Sequence, residues 1–204
     1  MARHGQTQWN VDGRWQGSTD IPLDGEGVLQ AEKLAKKLAG YPICTIYSSP
    51  LSRAAATAQA CAKRLGLGIT YRDDLKEIRL GKLEGLNFSE MAKKYPKELA
   101  HWESDDKAQV GMGVESNFDA QERAMAALLE ICETEKKDTL VVSHGGLITR
   151  LMCRLLHIPL KNRMCFSIQN TSLSIIECVF ATDMPRFQVV TLNDFSHLQS
   201  NQEN

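Results

Sequence analysis

No run of about 18 apolar side chains occurs anywhere in the 204 residues, so no membrane span is expected. A dominant charge sign is missing too: 24 Lys and Arg stand against 25 Asp and Glu, a formal net charge of -1. Generic nucleic-acid binders carry a basic excess. No nucleic-acid partner is therefore expected, and any anion site has to be local. The six cysteines (Cys44, Cys61, Cys132, Cys153, Cys165 and Cys178) form no CxxC pair and show no metal-ligand spacing. This argues against a disulfide framework and against a bound metal. Cysteines within apolar stretches, such as Cys44 in Pro42-Ile43-Cys44-Thr45-Ile46, read instead as buried free thiols of a reducing compartment. The N-terminus shows no basic and apolar leader, so the chain reads as cytoplasmic. Internal repeats, linkers and low-complexity tracts are also absent. A single domain over residues 1–204 is expected, long enough to bury one sizeable core.

What is present alternates between strand and helix patterns, the mark of an α/β layer fold. Residues 43–48 read as a short buried strand ending in the turn Ser48-Ser49-Pro50, and the alanine-rich stretch 51–66 as a helix stopped by Gly66. Thr139-Leu140-Val141-Val142-Ser143 is β-branched and apolar, as interior parallel strands are. A helix over 145–157 follows, with Ile148, Leu151, Met152 and Leu155 on one stripe. The stripes Ala31, Leu34, Ala35, Leu38 and Met125, Leu128, Leu129, Cys132 mark two more core-facing helices. Residues 172–180 and 187–192 look like a late pair of strands. Residues 86–114 differ: charged, with Tyr95-Pro96 and Gly111-Met112-Gly113, they predict a small helical cap over one end of the sheet. The expected fold is a three-layer α/β/α arrangement around a mostly parallel sheet.

Chemistry concentrates at two histidines, His4 and His144, each followed directly by a glycine that lets the backbone turn sharply toward a ligand. Open α/β sheets bind ligands beyond the C-terminal ends of their strands, where His144 should project. Arg53 falls near a helix start after the strand 43–48, a place that favours anions. In isolation Arg53 would be a surface arginine on an amphipathic helix. Together with Arg3 it offers two planar forks for phosphate oxygens. Arg3-His4-Gly5 continues into Gln6-Thr7-Gln8-Trp9-Asn10, Gly13-Arg14-Trp15-Gln16-Gly17 and Asp20-Ile21-Pro22-Leu23. That run, answered by Ser143-His144-Gly145-Gly146, resembles the histidine phosphatase superfamily in its phosphoglycerate-mutase-like branch, along nearly the whole chain.

The resemblance implies His4 as a nucleophile that becomes phosphohistidine, and His144 as a hydrogen-bonding partner of the transferring phosphoryl group. Arg3, Arg53 and backbone N–H groups, including that of Gly145, would stabilise the equatorial oxygens without a metal or other cofactor. Glu77, in Leu75-Lys76-Glu77-Ile78-Arg79, matches the proton donor. Glu84 is its competitor and is mostly structural in similar proteins. Asn10, Gln16 and the Gly17 backbone match positions lining the phosphate pocket. Trp102 and Met112 fit either a substrate wall or the cap's own core. Arg150, Arg154 and Arg163 read as solvated helix faces, His101 as a surface residue or a substrate contact, while His157 and His197 receive no role. Val114 replaces the glycine usual before Glu115-Ser116 in the family.

Two departures matter. Family members place an apolar strand of several residues before Arg-His-Gly, whereas here only Met1 and Ala2 precede it. The expectation is either a start further upstream or His4 on a loosely held arm with reduced activity, with ladder groups left unpaired. Mutases of the superfamily are longer and carry an arginine pair and a proline-rich segment in the cap, and residues 100–114 have neither. The leading reading is therefore a phosphomonoester hydrolase acting on a small phosphorylated metabolite. A phosphoglycerate mutase is the alternative, and a non-catalytic phosphate-binding scaffold is the reading from another class. Oligomeric state is left open, a homodimer through an exposed strand edge being one option.

Overall fold

Residues 1–104, 106–108, 111–180 and 185–199 are described by the computed structural model. In chain order the elements are β1 (Ala2–Arg3), α1 (Gln8–Val11), α2 (Gly25–Leu38), β2 (Thr45–Ser48), α3 (Ser52–Leu65), β3 (Thr70–Tyr71), α4 (Phe88–Lys94), α5 (Pro96–Ser104), α6 (Asn117–Thr134), β4 (Thr139–Ser143), α7 (Gly145–Leu155), β5 (Leu173–Val179) and β6 (Arg186–Asp194). The six strands form one sheet in the order β3-β2-β4-β1-β5-β6. Four are parallel to their neighbours, and β5 and β6 run antiparallel.

The period-two rule for strand side chains divides the core. Ile46, Leu140 and Val142 pack with α2 and α3 through Leu34, Leu38, Ala54, Ala58 and Cys61. Tyr47 and Val141, one residue out of step, pack on the opposite face with Ala127 and Ile131 of α6. Helices thus cover both faces of the sheet. Helix α2 starts where Asp24 Oδ1 accepts from Gly27 N at 2.7 Å and carries Lys36 and Lys37 in its last turn, a charge order suited to the helix dipole. Helix α3 stops at Gly66, which takes a left-handed φ of 69°. The stretch 86–114 holds α4 and α5, with Met91, Leu99 and Trp102 buried against Leu83, Ala120 and Leu147; its residues 105, 109 and 110 lie outside the described residues.

The first strand corrects one expectation. Ala2 and Arg3 do pair, in parallel with Val142 and Ser143 and, through Ala2, antiparallel with Leu173. Bonds from His4 N to Ser143 O (2.9 Å) and from Ser174 N to Met1 O (2.8 Å) continue that pairing, so His4 is not on a loose arm. Next to Met1, β4 and β5 flank a cavity of about 570 Å³ lined by Thr139, Val141, Ile176 and Cys178 among others. One thiol expected inside lies outside: Cys44 is exposed, as is Cys165, whereas Cys61 and Cys153 are buried. No helix among the described residues is long and apolar enough to cross a membrane.

Candidate active site

Parallel neighbours end side by side, and that single fact assembles the two histidines. Arg3 is in register with Ser143, so the residues after them, His4 and His144, leave the sheet together. Their rings lie 5.1 Å apart at an interplanar angle of 57°. Both are buried.

His4 has a defined tautomer. Its Nδ1 lies 2.7 Å from the Gly5 carbonyl oxygen. A carbonyl only accepts, so Nδ1 carries the proton and Nε2 keeps a free lone pair. Burial, reinforced by Arg3 and Arg53, holds its pKa well below the usual histidine value, so the ring is neutral at pH 7. Asn170 Nδ2 and Thr171 N donate to the His4 carbonyl at 3.0 and 3.2 Å, and Gly5 N donates to Thr57 Oγ1 at 3.0 Å. His4 is therefore clamped on both sides. A Cβ on Gly5 would stand 2.5 Å from Gly27 O, so only glycine lets this turn pass α2.

His144 is oriented by a residue that the sequence did not single out. Its Nε2 lies 2.8 Å from Ser49 Oγ, and that oxygen already accepts from Leu51 N. A hydroxyl can donate as well as accept, so Ser49 can pair with either tautomer, and His144 Nδ1 is buried without a partner among the described residues. Burial, then Arg53 and His4, lowers the His144 pKa well below the ordinary value.

Two guanidiniums complete the positive wall. Arg3 donates from Nη1 to Ile168 O at 2.6 Å and lies across Gly145, where a Cβ would come 3.1 Å from its Nε. Arg53, wholly buried at the start of α3, donates to Thr19 O and Gly17 O, both at 2.8 Å. Burial lowers the Arg3 pKa to about 10 despite Glu77 nearby, and lowers that of Arg53 as well. The Nε atoms of Arg3 and Arg53, like His144 Nδ1, have no hydrogen-bond partner among the described residues. Two buried N–H donors and an unpartnered imidazole nitrogen require an explanation, and an anion supplies it.

The two acidic candidates separate cleanly. Glu77 accepts from Gly146 N and Leu147 N, both at 2.9 Å, and from Ile78 N at 3.0 Å. Its carboxylate thus sits on the N-terminus of α7, where dipole and free N–H groups favour it, and it lines the same cavity as His4. Glu84 points away from that cavity into a loop clasp, accepting from Ser18 N, Ser18 Oγ, Thr19 Oγ1 and Leu80 N. Those bonds outweigh its burial and lower its pKa.

The cavity has a volume of about 430 Å³ and is lined by Arg3, His4, Asn10, Gln16, Gly17, Arg53, Glu77 and Gly145. His144 does not line it and lies next to His4, which does. Asn10 Oδ1 accepts from Thr7 N and Asn170 Nδ2 at 3.1 and 3.2 Å, and Gln16 Oε1 is buried and unbonded. Trp102 is both things foreseen for it: buried, with Nε1 donating to Glu115 O at 3.1 Å, and part of the cavity wall. Arg150 and Arg163 are a correction. They are buried and line this cavity, and only Arg154 is solvated. His197 sits off the cavity with Nε2 3.4 Å from Thr171 Oγ1, and His101 and His157 are exposed. Among the described residues no group of three or more His, Cys, Asp or Glu is arranged to hold a metal ion.

The family model described as histidine phosphatase superfamily (branch 1) matches residues 1–194. The chain belongs to this family. Among its relatives, phosphoserine phosphatase 1 of Hydrogenobacter thermophilus is 31% identical over 199 residues, covering 97% of this chain and 92% of that protein. Probable phosphoglycerate mutase GpmB of Salmonella choleraesuis is 29% identical over 204 residues, covering 98% and 94%. Phosphoserine phosphatase of Entamoeba histolytica, solved with 3-phosphoglyceric acid, superposes with a TM-score of 0.83 at 31% identity and 97% coverage of both chains. The mixed, mostly parallel sheet of this branch 1 histidine phosphatase is thus that of its solved relatives.

Proposed function

We propose that this histidine phosphatase hydrolyses small phosphomonoesters through a phosphohistidine on His4. One observation carries the reading: the bare Nε2 of a neutral histidine shares a pocket wall with two arginines whose Nε–H groups are buried and unsatisfied. The His4 lone pair attacks phosphorus and the ester P–O bond breaks. Arg3, Arg53, His144 and the Gly145 N–H hold the equatorial oxygens. Glu77 passes its proton to the departing alkoxide. Water then attacks phosphorus and gives a proton to the Glu77 carboxylate, and the P–N bond breaks, returning its electron pair to His4 Nε2 and releasing phosphate. The arginines supply the positive charge, so no metal is required.

The relatives' names, phosphoserine phosphatases among them, support hydrolysis of small metabolites over mutase chemistry. Exposed Phe88 and Met164 at the cavity give an apolar surface for the organic part of the ester. Buried free thiols at Cys61 and Cys153 support a cytoplasmic setting. The test is phosphate release from a panel of phosphomonoesters in excess EDTA, beside His4→Ala. Turnover that survives EDTA and drops by orders of magnitude in the variant is expected. Turnover retained by His4→Ala sinks the mechanism, and isomerisation of phosphoglycerate without phosphate release would make the enzyme a mutase.

A further inference from the structure

Asn170 uses the two N–H groups of one amide on two parts of the pocket at once. Its Nδ2 donates to the His4 carbonyl at 3.0 Å and to Asn10 Oδ1 at 3.2 Å. That Asn10 atom also accepts from Thr7 N at 3.1 Å and from Thr7 Oγ1 at 3.2 Å. A backbone N–H only donates, so the atom it meets is the amide oxygen. Asn170 therefore faces two acceptors, and the atom between them is its nitrogen. With three donors on its oxygen, Asn10 has Nδ2 left over. That nitrogen has no hydrogen bond among the described residues, and Asn10 lines the same cavity as Arg3, His4 and Arg53.

The loop that carries Asn170 is tied to the same wall. Ile168 O accepts from Arg3 Nη1 at 2.6 Å and Ser172 O from Arg3 N at 3.3 Å, while Gln169 N donates to Asn193 Oδ1 at 2.7 Å. Thr171 N reaches the His4 carbonyl at 3.2 Å, from a wholly buried residue with a φ of 54°. A β-branched side chain is rare in that left-handed region, and a turn alone would form more easily with glycine. Such strain persists where the surroundings over-determine the backbone, and it gathers at functional sites.

Resting on the phosphatase reading above, we propose that Asn170 is a positioning residue for phosphoryl transfer. It fastens Asn10 to the backbone of His4, so that the free N–H groups of Asn10 meet the phosphoryl oxygens at a set distance from His4 Nε2. Asn170 does not line the cavity and acts through these two neighbours.

The isosteric Asn170→Asp is the telling variant. At pH 7 it turns a carboxylate onto two acceptors, so kcat/KM for p-nitrophenyl phosphate should fall about 10- to 100-fold, the cost of a misplacement near 1 Å. A protonated carboxyl regains one donor. Activity relative to wild type should therefore rise from pH 7 to pH 5. Wild-type activity for Asn170→Asp at both pH values, as a packing role predicts, overturns the proposal. Asn170→Ala should cost about tenfold alone and clearly less beside Asn10→Ala, where the tether has lost its far end; equal losses in both backgrounds also overturn it. If circular dichroism shows the Asn170 variants unfolded, Asn10→Asp decides. It keeps an oxygen for Asn170 and replaces the free donor, so the calorimetric Kd of inorganic phosphate should rise about 10- to 100-fold; an unchanged Kd rejects the presented donor. If wild type turns over no ester, the phosphatase reading fails by itself. Phosphate Kd values for wild type, Asn170→Asp and Asn10→Asp then still decide the tether, and equal values reject it.

Discussion

Replacing Gly146 by alanine should disable the acid without touching the nucleophile. Gly146 has an ordinary helical backbone, so alanine fits its conformation and on propensity alone favours α7 by up to about 1 kcal/mol. The obstacle is Glu77. A Cβ at residue 146 would stand 2.6 Å from Glu77 Oε1 and 3.0 Å from Cδ, whereas ordinary contact begins at 3.4 Å. The carboxyl group must therefore retreat by about 0.8 Å, and it cannot do so while keeping its 2.9 Å bonds to Gly146 N and Leu147 N. Each such bond to a charged group is worth about 1.5–3 kcal/mol, and displacements near 1 Å at a reacting centre cost on the order of 100-fold in rate. Alkyl phosphates, whose leaving group needs the proton, should lose about 10- to 100-fold in kcat. p-Nitrophenyl phosphate, whose leaving group departs as an anion, should lose much less. The assay is the ratio of kcat for the two ester classes, in wild type and in Gly146→Ala, and again in a Glu77→Ala background. Equal losses on both classes, or a further loss on top of Glu77→Ala, would refute the idea that the glycine exists to seat this carboxyl group.

Other outcomes follow from the same geometry. Gly5→Ala drives a Cβ to 2.5 Å from the Gly27 carbonyl oxygen; overpacking against backbone should cost about 1–3 kcal/mol, read as a Tm several degrees lower by calorimetry. Glu84→Gln weakens the clasp on Ser18 and Thr19, so urea unfolding should shift by about 1 kcal/mol while the alkyl-to-nitrophenyl ratio stays put; a changed ratio would reinstate Glu84 as the acid. For His4 and His144 the folded pKa lies well below 6.5, burial being the first cause. The unfolded chain therefore takes up protons that the fold refuses as pH drops below about 6.5. Their stability contribution is complete above that pH and declines below it, at up to about 1.4 kcal/mol per pH unit for each histidine. Urea midpoints from pH 8 to 5 check this, and a flat profile would contradict the buried neutral pair.

Part of the candidate site was readable in sequence because some of its residues are tied to chain features that leave a local trace, and the family resemblance supplied others, such as Glu77. His144 ends an apolar β-branched strand, Arg53 opens an alanine-rich helix, and the glycines beside both histidines mark close approach. Arg150 and Arg163 left no such trace. On α7 the stripe Ile148, Leu151, Met152 and Leu155 identifies one buried face, and Arg150 lies off it, where solvent is the local expectation. It is buried because Trp102 of α5 and Asn117 of α6 cover that second face, a tertiary fact no window of α7 contains. The two-residue strands β1 and β3 are likewise too short for any period to register. Ser49 and Asn170, which orient His144 and His4, are single polar residues in loops, indistinguishable in sequence from those that merely satisfy a turn.

The clamp on His4 also dictates when the enzyme can become an enzyme. Its carbonyl is held by Asn170, 166 positions away, and Arg3 is held by Ile168, 165 positions away. Contacts of such separation close the longest loops in the chain, and their entropy has to be met before they reward the fold. During synthesis α2, β2 and α3 can meet early, since they are neighbours in sequence. His4 stays unfixed until the segment around Asn170 has left the ribosome. A nascent chain stalled short of that point would hold most of the helices and no working pocket, so phosphatase activity reports completion of the chain.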